Sequence, residues 1–154
     1  MLPSGNGNPF LRETVGGMLA ALAHRVGDHE AIVAPDRRIT YAQFHREAQR
    51  VARGLLALGV KKNDKVALWL PTRPEWLFAQ YGCAMIGAVV VALNTRYKAH
   101  ELRYILRQSD ATTLVCTDHS GRWTIWRRWS RCFRPSGNPC RASSWWRTSR
   151  CSVA

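Results

Sequence analysis

Past Gly121 the chain contains no aspartate, glutamate or lysine; all ten acidic residues and all four lysines lie in residues 1–120. The stretch 121–154 carries instead eight arginines, five of the seven tryptophans and three of the five cysteines. Its charges have no opposite sign nearby to pair with. The formal net charge of +13 divides accordingly, with 15 basic against 10 acidic residues before Gly121 and eight unopposed arginines after it.

Other absences narrow the class. No stretch approaches the roughly 18–20 consecutive apolar residues of a membrane-spanning helix; the longest apolar region, residues 84–93, is interrupted by Gly87. The first nine residues lack the basic start and apolar core of a secretory signal, so a cytoplasmic protein is expected. There is no Cys-x-x-Cys, and Cys132, Cys140 and Cys151 have no His pair nearby, which leaves a zinc site unsupported. An odd total of five cysteines argues against a disulfide framework. Cys83 and Cys116 sit in apolar segments and are expected to be buried small hydrophobes. His24, His29, His45, His100 and His119 share no face and are expected at surfaces and caps rather than as bases or ligands.

What is present is an ordinary globular pattern over residues 10–120, long enough to bury a core. Val15, Met18, Leu19, Leu22 and Val26 recur at helical spacing within a segment from Phe10 to Val26, although Gly16 and Gly17 weaken it. Residues 31–33 and 36–39 suggest a hairpin around Pro35-Asp36. Thr40, three residues before Gln43, is a capping-box signature. The helix after it should bury Phe44, Ala48, Val51, Ala52 and Leu55, expose Arg46, Gln49, Arg50 and Arg53, and stop at Gly59. Strands are expected over residues 65–70, 88–93 and 111–116, the first apolar over the consecutive positions from Val66 to Leu70 and the second apolar throughout, as buried parallel strands are. Helices run between them from Pro74, suited to a first turn, and from Ala99 to Ser109. The order strand, helix, strand, helix, strand predicts an α/β fold with a partial parallel βαβαβ sheet and right-handed crossovers. Arg73 and Arg96 fall in loops after strands, where α/β proteins place ligand-contacting groups; turn stabilisation is the simpler role for both.

The order and spacing of several segments resemble the start of the AMP-forming, adenylating acyl-CoA synthetase family. They are Arg38-Ile39-Thr40-Tyr41-Ala42-Gln43-Phe44, the run 57–67 beginning Ala57-Leu58-Gly59-Val60, Pro71-Thr72-Arg73-Pro74-Glu75-Trp76, the run 85–97 ending Asn94-Thr95-Arg96-Tyr97, and His100-Glu101-Leu102-Arg103-Tyr104-Ile105-Leu106. The resemblance covers about residues 10–120. It implies a parent that uses ATP, magnesium and coenzyme A to convert a carboxylic acid, such as a fatty acid, to an acyl-adenylate and then an acyl-CoA. It also implies a phosphate loop ending in Pro-Lys-Gly, an Asp for ribose, a Glu for magnesium and a lysine in a C-terminal lid, all downstream of the region matched. None of these occurs here, nor does Gly-x-x-x-x-Gly-Lys-Ser/Thr. No catalytic, cofactor-binding or metal-ligating residue is therefore assigned, and the chain alone is expected to be inactive.

The expected organisation is a flexible lead over 1–9, a partial N-terminal subdomain over 10–120, and an irregular tail over 121–154. Tryptophan has the single codon TGG, so reading one base early ends the codon in TG, which encodes Leu, Met or Val. Re-read in that frame, with mostly G- or C-ending codons, residues 121–133 become Pro-Val-Asp-Tyr-Leu-Ala-Ala-Val-Glu-Pro-Val-Leu, an amphipathic segment. A frameshifted tail on a truncated synthetase is one reading. The other is a small basic binding protein whose arginines and tryptophans contact anionic membrane or nucleic acid. A helix at 123–133 would line up Trp123, Trp126, Trp129 and Phe133. An open sheet edge near Cys116 would invite self-association.

Overall fold

Helical structure begins at Thr14, whose side chain accepts from the Gly17 N–H at 3.0 Å and caps α1 (Val15–Val26). The computed structural model describes residues 14–117, and by backbone 119–120, 123–124, 141–143 and 146–150; the expected lead and the first residues of the segment from Phe10 lie outside these. Leu19 is buried, but Val15 and Met18 are 50% and 39% exposed. The expected apolar stripe of α1 is thus only partly covered. Gly16 explains the side that is: a Cβ there would stand 3.0 Å from the Met85 backbone. The glycine that weakens the helix in isolation permits its close approach to a neighbour.

Strands β1 (Glu30–Val33) and β2 (Arg38–Thr40) pair antiparallel. The Ala34 N–H donates to the Arg37 carbonyl at 2.9 Å, leaving Pro35 and Asp36 at the tip as expected. Helix α2 (Tyr41–Ala57) opens with the capping box: the Thr40 N–H donates to Gln43 Oε1 at 2.9 Å and the Gln43 N–H to Thr40 Oγ1 at 3.3 Å. It buries the five residues named from its periodicity. Gly59, at φ +79°, ends it in the left-handed region while the Val60 N–H reaches back to the Leu55 carbonyl.

The sheet is built from β3 (Lys65–Trp69), β4 (Val89–Ala92) and β5 (Thr113–Cys116), joined through α3 (Pro74–Met85) and α4 (Ala99–Ser109). β3 lies centrally and pairs parallel with both others. Its alternate residues feed two cores, as the pleat requires. Val66 and Leu68 pack with Leu19, Phe44, Leu55 and Phe78, while Ala67 and Trp69 pack with Leu102 and Leu106. Phe44 is also in edge contact with Tyr81, their ring centres 4.9 Å apart.

Two expectations about strands are corrected. β4 is not buried on both faces: it lies at the end of the order β4-β3-β5-β9-β8, with Val89 47% exposed. An apolar run does not distinguish a central strand from an edge strand. Nor is the edge near Cys116 open as expected: β8 (Arg141–Ser143) and β9 (Trp146–Arg150) join the sheet, and β9 pairs antiparallel with β5, Cys116 opposite Arg147. The edge near Cys116 therefore has a partner. Backbone pairing needs no particular side chains, which is why composition did not reveal it. A second small hairpin joins β6 (His119–Ser120) to β7 (Trp123–Thr124), so a helix does not begin at Trp123. Residues 125–140, including Trp126, Trp129 and Phe133, lie outside those described.

Candidate functional site: a cavity at the ends of the parallel strands

Parallel strands deliver their outgoing loops to one end of a sheet, the usual location of α/β ligand sites. Here the loop after β3 and the loop after β4 meet the β1–β2 hairpin around a cavity of about 800 Å³. Its wall is formed by residues 32–35 of the hairpin, 70–74 after β3, Trp76 and Leu77 of α3, and 92–95 with Tyr97 after β4.

Each side is held by a specific contact. Pro74 occupies the first turn of α3, where its missing N–H costs nothing, and Arg73 is the extended residue before it. Glu75 sits beside the positive end of that helix. Its carboxylate pairs with Arg37 of the hairpin, and its Oε2 lies 3.6 Å from Arg73 Nε. Glu75 is only 17% exposed, and Oε2 is buried with no hydrogen bond. One carboxylate thus faces two guanidinium groups and fastens the hairpin to α3. On the opposite side the Trp69 indole N–H donates to the Asn94 carbonyl at 3.0 Å, while Asn94 Oδ1 accepts from the Arg96 N–H at 2.9 Å. The Lys98 N–H donates to Glu101 at 2.7 Å and starts α4.

Of the two loop arginines singled out from sequence, Arg73 lines the cavity and Arg96 is absent from its wall. His24, His45 and His100 lie on three different helices and His29 in the turn before β1. Among the described residues no three His, Cys, Asp or Glu side chains converge as a metal would require. Cys83 and Cys116 are buried. Burial pushes the Cys83 thiol up to about 12, the opposite of an activated nucleophile. Arg37 and Glu75 were not legible as a pair, since 38 residues separate them. The arrangement offers a half-open, largely apolar cleft with Arg73 at its wall, which is a means of binding rather than of bond breaking.

A model of the family described as "AMP-binding enzyme" matches residues 19–135. The Bacillus subtilis protein YngI, named provisionally as an acyl-CoA synthetase, is 46% identical over 111 residues, covering 71% of this chain and 20% of its own length. The human mitochondrial medium-chain acyl-CoA ligase ACSF2 is 37% identical over 105 residues, 67% of this chain and 17% of its own length. Among solved structures, the N-terminal domain of FACL13 from Mycobacterium tuberculosis superposes with a TM-score of 0.65 at 40% identity, covering 66% of this chain and 26% of that one. The chain spans about a fifth of the length of the curated relatives it matches. Among the described residues no helix is long and apolar enough to cross a membrane.

Proposed function

The chain belongs to the family of AMP-binding enzymes, and from that membership we propose that it is the N-terminal portion of an acyl-CoA synthetase. The whole protein would activate a carboxylic acid with ATP as an acyl-adenylate and pass the acyl group to coenzyme A. The observation that carries this reading is a match at 46% identity over 111 residues that takes in most of this chain and only a fifth of a synthetase-like relative.

Within that activity the role of these residues is architectural. They supply a central parallel strand, the helices on its two faces and the loop ends at 70–74 and 92–97. The chain contains no loop ending Pro-Lys-Gly to hold nucleotide phosphates. No acidic cluster among the described residues could hold magnesium. Alone, the chain cannot align a carboxylate with an α-phosphate, and such positioning supplies a large part of the rate enhancement in a transfer of this kind. Purified 1–154 is therefore expected to give no acyl-dependent ATP–pyrophosphate exchange, and measurable exchange would overturn the reading.

We assign the tail from Gly121 to a shifted reading frame. The simultaneous loss of Asp, Glu and Lys and the gain of Arg and Trp support this, as does the amphipathic pattern in the alternate frame. Sequencing the encoding DNA from codon 115 onward decides it. A frame that continues into Ser/Thr/Gly-rich sequence ending Pro-Lys-Gly is the expected result; stops or low-complexity sequence in both other frames would sink it.

A further inference from the structure

The buried side-chain oxygen left without a hydrogen bond among the described residues is Glu75 Oε2, and its carboxylate stands between two arginines from different elements. We propose that the tip of the β1–β2 hairpin, residues 33–38, is a flap over the cleft at the ends of β3 and β4, and that Glu75 is its two-way latch. Arg37 holds the carboxylate when the flap is shut, and Arg73 takes it over when the flap lifts.

The hairpin is anchored at its base and lightly held at its tip. Its two strands pair only with each other. At the base the Tyr41 N–H donates to the His29 carbonyl at 3.0 Å and the Ala42 N–H to the Gly27 carbonyl at 2.9 Å, while Ile39 is buried and Ile32 packs against the core. Beyond the Ile32–Ile39 pair, Val33 is 62% exposed and residues 35–38 are exposed as well. The pairing register shifts between Glu30 and Ile32, an irregularity of the kind that lets a strand bend. Of the hairpin's two ion pairs among the described residues, Arg38–Glu30 stays within it and Arg37–Glu75 reaches another element. Residues 32–35 form one wall of the cleft and Leu70, Trp76 and Leu77 another, so the position of the tip sets access between them.

Glu75 is a fixed post. It lies in the first turn of α3 behind Pro74, where the positive helix end favours a carboxylate whichever arginine it faces. Its side chain is only 17% exposed, so losing Arg37 with no replacement would strand a largely buried charge, a strongly unfavourable state. Arg73 prevents this. Its Nε stands 3.6 Å from Oε2, within ion-pair range but beyond a hydrogen bond, and its side chain is 58% exposed, so a shift of roughly half an ångström completes the bond. In the shut state Glu75 binds Arg37 and leaves Oε2 unsatisfied; in the lifted state it loses Arg37 and gains a charge-assisted bond to Arg73. Each state lacks one bond that the other has, which keeps the two close in free energy. The inference does not depend on adenylating activity, so either can fail without the other.

The test is methyl relaxation-dispersion NMR on the full 154-residue chain, which reads exchange on the microsecond-to-millisecond scale of lid motions. Val33 and Ala34 report the flap and Ile39 the base. The wild-type chain is expected to show one exchange process at Val33 and Ala34 and a flat profile at Ile39. Arg37→Ala should raise the lifted population about tenfold and Arg73→Ala should lower it about tenfold, the weight of one charge-assisted hydrogen bond. Arg37→Lys should fall between wild type and Arg37→Ala. In a Glu75→Gln background, Arg73→Ala should have no further effect. Thermal melts of each variant establish that it is folded. Flat profiles at Val33 and Ala34 in the wild-type chain would overturn the proposal. So would a lifted population that rises or stays the same in Arg73→Ala, the result a static brace gives. Exchange at Ile39 with the rate seen at Val33 would overturn it too, since the whole hairpin would then be detaching.

Discussion

Gly82 faces Val51 across the contact between α3 and α2 so closely that a Cβ on Gly82 would stand 2.9 Å from the Val51 Cβ and 3.0 Å from the Ala48 carbonyl oxygen. The second of these is backbone on a packed helix and cannot swing aside. Gly82→Ala is therefore expected to destabilise the fold by about 1–3 kcal/mol through overpacking, despite the better helix propensity of alanine. Denaturant unfolding measures it; a neutral or stabilising result would mean that the two helices separate at little cost.

Thr40 and Gln43 satisfy each other's backbone donors at the start of α2. Thr40→Ala removes the hydroxyl acceptor and is expected to cost about 1 kcal/mol. Thr40→Ser should restore most of it, because serine presents the same oxygen. Equal melting temperatures for the alanine and serine variants would contradict a capping role.

Trp69 is fully buried and its indole N–H holds the Asn94 carbonyl. Trp69→Phe removes that hydrogen bond and leaves a void, for a combined loss of about 2–4 kcal/mol. The loop after β4 should also loosen, seen as faster amide exchange at Tyr97, whose N–H donates to the same carbonyl.

Burial raises the Cys83 thiol from its ordinary 9.0 to about 12. The native state then keeps a proton that the unfolded chain releases, so this group contributes stability below pH 9 that is lost as pH rises toward 12. The fall in unfolding free energy over that window should be steeper in the wild type than in Cys83→Ala. Parallel curves would show that the thiol is not protected.

β5 is paired on one side with β3 and on the other with β9. Deleting 121–154 removes β9 and leaves the outward N–H and C=O groups of β5 without their partner, an arrangement prone to edge-to-edge association. The shortened chain is expected to show more concentration-dependent association in sedimentation velocity than the full chain. Less association would mean that the arginine-rich tail, not the sheet edge, drives self-contact.

Local signals carried most of the fold. The caps at Thr40 and Pro74, the stop at Gly59 and the stripe from Phe44 to Leu55 are short-range relations, so they can be found by spacing alone. The candidate cavity was legible only in part. Arg73 could be picked out because it follows a strand, but Asn94, which shares the cavity wall with it, and Arg37, which shares Glu75 with it, come from segments whose proximity depends on the completed fold. Glu75, two residues away, faces both Arg37 and Arg73 only because the hairpin folds against α3.

The sequence by itself determined where α1–α4 and β1–β5 form, because periodicity, capping and turn chemistry act within a few residues. Tertiary structure alone decided that β3 is central and β4 an edge, that Gly16 and Gly82 mark close helix contacts, and that Arg37 and Arg73 share one carboxylate. Those outcomes depend on which surfaces meet across long stretches of chain, and a linear pattern does not encode that separately from the packing that produces it.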